Sequence, residues 1–216
     1  MREGMFNPII LASRYTTMLM EMDNKELERQ LLASRDAGTG GYYATGQHSS
    51  TSGFSEDDYM PSAPSSGDVS FAPDGARIPN TGECKKLMQR IEQTIYQEIV
   101  EGFETFATWC HIIEPLEQTA LHTHVLPGDR LPQLSWVYYV RTRPNCGNLN
   151  FQTTVHDRMI FMEEEAVEGK LVIFPSWMPH ATGKNMSGET RISISGNSIG
   201  EFKDPKQLYN LIGITG

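Results

Sequence analysis

The sequence predicts an all-β sandwich or barrel with supporting helices at its N-terminal side, and three observations carry that expectation. From residue 103 the chain becomes a series of short β-like runs, at 103–113, 133–142, 149–154, 158–163, 170–174 and 190–199. Turn signals stand between them: Pro127-Gly128-Asp129, Pro144 to Gly147, Glu168-Gly169, Pro175-Ser176-Trp177 and Met186-Ser187-Gly188. Helical periodicity is concentrated before residue 103. The length of 216 residues, with 38% hydrophobic residues, is enough to bury a core without disulfide staples.

The elements follow in order. Segment 5–15 reads as a strand or extended lead-in. From Asn24 to Ala37, Leu27, Leu31 and Leu32 recur at helical spacing, with Asp23 or Asn24 as N-cap and Gly38 to Gly41 as the stop. Residues 38–82 are rich in Gly, Ser, Thr, Asp and Pro and show no sustained periodicity, so they read as a functional lid or a partly disordered loop. A second helix is expected from Thr81 to Gly102, with Leu87, Ile91, Ile95 and Ile99 as its stripe and Thr81 or Gly82 at its start. A stripe of this kind packs a core and carries no chemistry. Residues 201–216 form a tail with one short helix around Asp204 to Leu211. The whole reads as a single domain, 1–216, whose core is 103–200.

Composition excludes some functions. The formal net charge is −9 and the nearest approach to a basic run is Lys85-Lys86, which argues against a nucleic-acid partner. Three cysteines, Cys84, Cys110 and Cys146, are widely spaced and form no metal motif; they read as reduced thiols, two of them half-buried. The apolar run from Pro8 to Ala12 is too short for a signal peptide, and no stretch is long enough to span a membrane. A cytoplasmic location with no membrane partner is the default expectation.

Three pieces carry chemistry. His122-Thr123-His124 puts two imidazoles two residues apart, which in a strand point to one face and can share a metal ion. An apolar strand from Gly169 runs through Phe174-Pro175-Ser176-Trp177 to present His180. The run from Thr190 to Asn197 alternates strictly: Arg191, Ser193, Ser195 and Asn197 share one face, Ile192 and Ile194 the other. That polar face either meets water or lines a site. Other histidines read more simply. His111 is a satisfied core or interface residue, His156 belongs to a polar turn, and His48 lies in the long loop. The acidic run Glu163 to Glu165 reads as a solvated edge that discourages edge pairing.

In this order, with 57 residues between His122 and His180 and ten between His180 and Arg191, the pieces resemble the 2-oxoglutarate/Fe(II)-dependent oxygenases. The closer resemblance is to small bacterial and phage proteins of that superfamily. The matching stretches are His122-Thr-His124, Leu134-Ser-Trp-Val-Tyr-Tyr139, Gly147-Asn-Leu-Asn-Phe151, Phe174-Pro-Ser-Trp-Met-Pro-His180 and Arg191-Ile-Ser-Ile-Ser-Gly-Asn197. They cover roughly residues 104–198.

The resemblance implies a mainly β fold with a double-stranded β-helix (jelly-roll) core. It implies Fe(II) on His122, His124 and His180, with 2-oxoglutarate as cosubstrate on Arg191 and Ser193. Iron that activates oxygen takes protein ligands on one face and keeps open positions opposite. The far carboxylate of the keto acid needs a fixed cation, for which arginine offers a bidentate, charge-assisted pair. Tyr138 or Tyr139 adds a phenol donor; alternation lets only one point inward, and Tyr139 is assigned that place. The superfamily usually has Asp where this chain has His124. The third ligand is therefore His124 itself, or a carboxylate such as Asp129 or Asp157, or the site has two histidines with His124 beside it.

The implied activity is hydroxylation of a small-molecule or protein side-chain substrate with release of succinate and CO2. The alternative is a cupin-type three-histidine metal protein, a dioxygenase or binding module, that does not use 2-oxoglutarate. A degenerate fold member acting in a homodimer is the third reading.

Overall fold

Strand β5 (Leu134–Arg141) explains the layering of the molecule, because it is buried on both faces. Leu134, Trp136, Tyr138 and Val140 pack into one apolar cluster, and Val137 and Tyr139 into another. Such a strand belongs in the middle of a sheet covered on both sides. The computed structural model describes residues 15–37, 43–45, 49–51, 78–95, 103–124, 134–155 and 158–200.

Among the described residues, two antiparallel sheets make up the core. The major sheet contains β1 (Thr16–Leu19), β2 (Tyr43–Thr45), β3 (Ser49–Thr51), β4 (Phe103–Ile113), β5, β8 (Lys170–Pro175) and β10 (Arg191–Gly200), in the order β1-β8-β5-β10-β4-β3-β2. The minor sheet has β6 (Leu149–Val155) between β7 (Arg158–Glu164) and β9 (His180–Thr182). This is the mainly β jelly-roll architecture expected, with the strands from 103 onward close to their predicted bounds. Beyond that expectation, β1 pairs with β8, and β2 and β3 extend the other edge next to β4. Residues 38–82 thus hold two strands that hydropathy alone did not reveal, because three-residue strands are too short to show a period.

Helices α1 (Asn24–Asp36) and α2 (Gly82–Thr94) cover the outer face of the major sheet. Asp23 caps α1 through its side chain, accepting from the Glu26 amide at 3.1 Å. Thr81 stands at the N-cap of α2 without a side-chain cap bond. Leu27, Leu31, Leu87 and Ile91 are fully buried against Ile112, Tyr138, Ile192 and Ile194. Each such side chain contributes roughly 1.5–3 kcal/mol of burial. Tyr138 points to this side, donating its hydroxyl to Asn24 Oδ1 at 2.7 Å, and so leaves Tyr139 to the other.

The space between the sheets is lined by Val137, Tyr139, Cys146, Leu149, Phe151, Val172, Phe174 and Met178. All three cysteines are buried thiols, so the expectation of half-buried ones is corrected: each fills apolar space. Burial pushes the Cys84 thiol up to about 12. The acidic run is also less solvated than expected. Glu164 is mostly buried and paired with Lys170 at 2.6 Å, and Glu163 accepts from Asn148. No helix among the described residues is long and apolar enough to cross a membrane. The expected helix at 204–211, the end of the second helix at Gly102, and His48, Asp129, His156 and Asp157 lie outside the described residues.

Candidate metal centre

His122 and His124 lie on a segment that runs beside β9 without being a strand itself. Three ties hold it. Thr119 and Thr182 exchange amide-to-hydroxyl hydrogen bonds, both 2.9 Å. His122 and His180 form a two-way backbone bridge. The His124 amide donates to the Ser176 carbonyl at 2.9 Å. The two histidines share a face as expected, but the bridge to β9, not a strand, puts them there.

The three rings close on one another. Their centroids are 4.3 Å apart for His122 and His180, 4.9 Å for His124 and His180, and 5.0 Å for His122 and His124. One ring nitrogen from each lies within 4.8 Å of the others. In every ring Nδ1 faces an oxygen that has no hydrogen of its own: Ala120 O at 2.8 Å for His122, Asn197 Oδ1 at 2.7 Å for His124, and Met178 O at 2.9 Å for His180. Nδ1 must therefore be the donor, which leaves the Nε2 lone pair of each ring for a metal. Burial also keeps the rings neutral, as ligands must be. Desolvation holds His122 below the ordinary imidazole range, His124 down at about 3 and His180 well below it.

His111 is brought to the same cleft, where the sequence suggested a plain core residue. Its chemistry differs from that of the triad. Trp109 Nε1 donates to His111 Nε2 at 2.7 Å, so that nitrogen is taken and the neutral ring carries its proton on Nδ1. The Trp109 ring also packs on His124, with centroids 5.2 Å apart. Alternation along β4 would have put Trp109 and His111 on one face; only the sheet order shows which face that is.

The polar face of β10 meets this cleft, not water. Arg191 is 0% exposed, Ser193 1%, and Ser195 and Asn197 8% each. Ser193 pairs across the sheet with His111 on one side and Tyr139 on the other. The Arg191 guanidinium donates from Nη1 to the Gly147 carbonyl at 2.7 Å, while its Nε and Nη2 are buried without a partner. The Tyr139 hydroxyl is likewise buried without a partner, and desolvation raises it above the ordinary phenol range. The cleft, about 410 Å³ to its open mouth, is lined by the triad, His111, Tyr139, Arg191, Ser193 and Ser195. No carboxylate lines it among the described residues.

These groups fit a metal and an anion. Three converging imidazole nitrogens suit iron(II), and a buried guanidinium with two idle nitrogens is costly unless an oxyanion meets it. A carboxylate would meet the idle guanidinium nitrogens in such a cleft.

The family model described as "Putative 2OG-Fe(II) oxygenase" matches residues 152–197, a span that holds His180, Arg191 and Ser193 but not His122 or His124. Among curated proteins none matches the chain in sequence. Solved structures share its fold at low identity. A Pseudomonas putida prolyl-4-hydroxylase has a TM-score of 0.59 at 16% identity, over 90% of this chain and 99% of that one. The viral collagen prolyl hydroxylase from Paramecium Bursaria Chlorella virus-1, in complex with 2OG, has a TM-score of 0.57 at 10% identity, over 89% and 99%. The α-ketoglutarate-dependent carbocyclase SnoK of nogalamycin biosynthesis has a TM-score of 0.60 at 11% identity, over 92% and 85%. By the local family match and by its fold, the chain is similar to the 2-oxoglutarate/Fe(II)-dependent oxygenases.

Proposed function

We propose that the chain is a dioxygenase that hydroxylates a small-molecule or protein side-chain substrate. His122, His124 and His180 hold Fe(II), and Arg191, Ser193 and Tyr139 hold 2-oxoglutarate. One oxygen atom of O2 goes to the substrate C–H bond and the other to succinate, with loss of CO2. The observation that carries this reading is the Arg191 guanidinium, wholly buried with two unpartnered nitrogens in the cleft of the three rings.

When bound, the iron and keto acid supply the oxygen chemistry. The chain's own residues do the rest. The three Nδ1–H bonds hold each ring with its Nε2 lone pair ready. Gly147 O fixes one edge of the guanidinium and leaves Nε and Nη2 to the distal carboxylate. The Tyr139 hydroxyl, kept protonated by burial, and Ser193 Oγ complete a set of donors for an anion. Phe174 and Leu149 line the cleft and keep water from competing. Three neutral ligands leave the metal's full positive charge to attract the keto acid.

Anaerobic addition of Fe(II) and 2-oxoglutarate tests this. The expected result is the visible iron-to-keto-acid charge-transfer band, lost in Arg191→Ala. Intact iron binding with no band would instead favour the three-histidine protein that does not use 2-oxoglutarate.

A further inference from the structure

We infer that Asn197 is a positioning residue for the third metal ligand: its side-chain carbonyl, held by Ser135 and Ser176, selects the tautomer and orientation of His124. The inference rests on the reading of the three histidines as the metal site and deepens it.

His124 differs from its two companions in what holds it. His122 and His180 each donate Nδ1–H to the backbone carbonyl two residues earlier, Ala120 and Met178. Those carbonyls come with the local chain and need no particular side chain. His124 instead reaches across 73 positions of sequence to Asn197 Oδ1. It stands where the superfamily usually has an aspartate, and its support is supplied by another strand.

That support is itself built. Ser135 Oγ lies 2.7 Å from Asn197 Oδ1 and 3.0 Å from Ser176 Oγ. The amide oxygen has no hydrogen of its own, so the Ser135 hydroxyl donates across the shorter, 2.7 Å contact to Asn197, with Ser176 Oγ beside it. Asn197 Oδ1 then receives two donors, Ser135 Oγ–H and His124 Nδ1–H, and the amide is locked with its oxygen toward the ring. Ser135 is 1% exposed and Ser176 0%. The same Ser176 accepts the His124 amide through its backbone carbonyl at 2.9 Å. One residue therefore anchors both the backbone of His124 and the chain of hydroxyls that ends on its ring. Asn197 sits where the pairing of β10 with β4 slips by one residue, between Asn197 and Ser198. Such slips bend a strand and re-aim a side chain.

Strand β10 thus serves both halves of the site. Its Arg191 end faces the anion subsite and its Asn197 end the metal. An amide at this point, where an Asp–His pair would carry a charge, keeps His124 a neutral donor with no added anion nearby.

The test titrates Co(II) alone into the apoprotein, following its visible absorption, for the wild type, Asn197→Ala, Asn197→Asp, Ser135→Ala, His124→Ala and the Asn197→Ala/His124→Ala double variant. The expected result is a 10–100-fold weaker Co(II) affinity in Asn197→Ala, the usual range for lost ligand support. Asn197→Asp should restore it, since a carboxylate also accepts from Nδ1. Ser135→Ala should weaken affinity by a smaller factor. In the His124→Ala background, Asn197→Ala should add less than twofold. Ring-nitrogen NMR of the apoprotein gives a second readout: His124 should be the Nδ1–H tautomer in the wild type and mixed in Asn197→Ala. Should Asn197→Ala not fold, Ser135→Ala and Asn197→Asp carry both measurements. Wild-type affinity in Asn197→Ala, or an equal loss with His124 already removed, would overturn the role of Asn197 alone. Co(II) binding indifferent to His124→Ala would overturn it together with the three-histidine site.

Discussion

His122 and His180 exchange both of their backbone hydrogen bonds: the His122 amide donates to the His180 carbonyl at 3.0 Å, and the His180 amide to the His122 carbonyl at 2.9 Å. Two of the proposed ligands, separated by 57 residues, are thereby joined through their backbones. The bridge between the two segments is made by backbone hydrogen bonds, so it does not depend on a metal ligand set to form.

Metal should therefore stabilise the protein by simple mass action. At a free Fe(II) or Ni(II) concentration one hundred times its Kd, the gain is about 2.7 kcal/mol. Thermal melts with and without a chelator should show the shift. His122→Ala and His180→Ala should lose it while the chelated proteins melt near the wild type.

Replacing Arg191 should separate binding from stability. Two charge-assisted hydrogen bonds worth about 1.5–3 kcal/mol each amount to roughly 10²–10⁴-fold in 2-oxoglutarate affinity. Arg191→Met should show that loss by calorimetry with iron affinity intact. Because it removes a buried charge with two unpartnered nitrogens, Arg191→Met without ligand should melt at or above the wild type. A large drop in melting temperature would show the guanidinium to be a structural pillar.

Gly147 is the residue whose carbonyl holds Arg191, and it stands at φ +86°. A Cβ there would fall 2.0 Å from the Gly183 carbonyl oxygen, a backbone atom that cannot swing away. Gly147→Ala should cost about 1–3 kcal/mol from strain at positive φ, read by urea unfolding. It should also weaken 2-oxoglutarate, since the carbonyl that seats the guanidinium moves with the turn.

The apoprotein should be labile to acid. Burial, first among the causes, lowers His111, His122, His124 and His180 below 6.5 in the fold, while in the unfolded chain they protonate near 6.5. Between those values the unfolded state binds more protons, so stability is full above pH 6.5 and falls as pH drops below it. Each histidine contributes a slope of up to about 1.4 kcal/mol per pH unit. Chelated protein unfolded in urea at pH 7.5, 6.5 and 5.5 should lose stability mainly over the last step. A flat profile would mean that these rings are solvated in the fold.

Much of this protein is legible from its residues alone. The strands from 103 onward show because alternating and apolar runs have a period long enough to read. The order of His122, His124, His180, Arg191 and Ser193 carries the family resemblance, because residue types and spacing are read directly from the chain. The sequence also says that Arg191, Ser193, Ser195 and Asn197 share a face, since side chains alternate along a strand. It leaves open whether that face meets water. The tertiary structure decided this by stacking the minor sheet over β10 and β5, which buries the face and strips Arg191 of solvent partners. The same stacking chose Tyr139 over Tyr138, turned His111 from core filler into a cleft residue capped by Trp109, and brought Asn197 to His124. Each is a contact between residues far apart in the chain, and such contacts depend on sheet order and register, which no local pattern encodes.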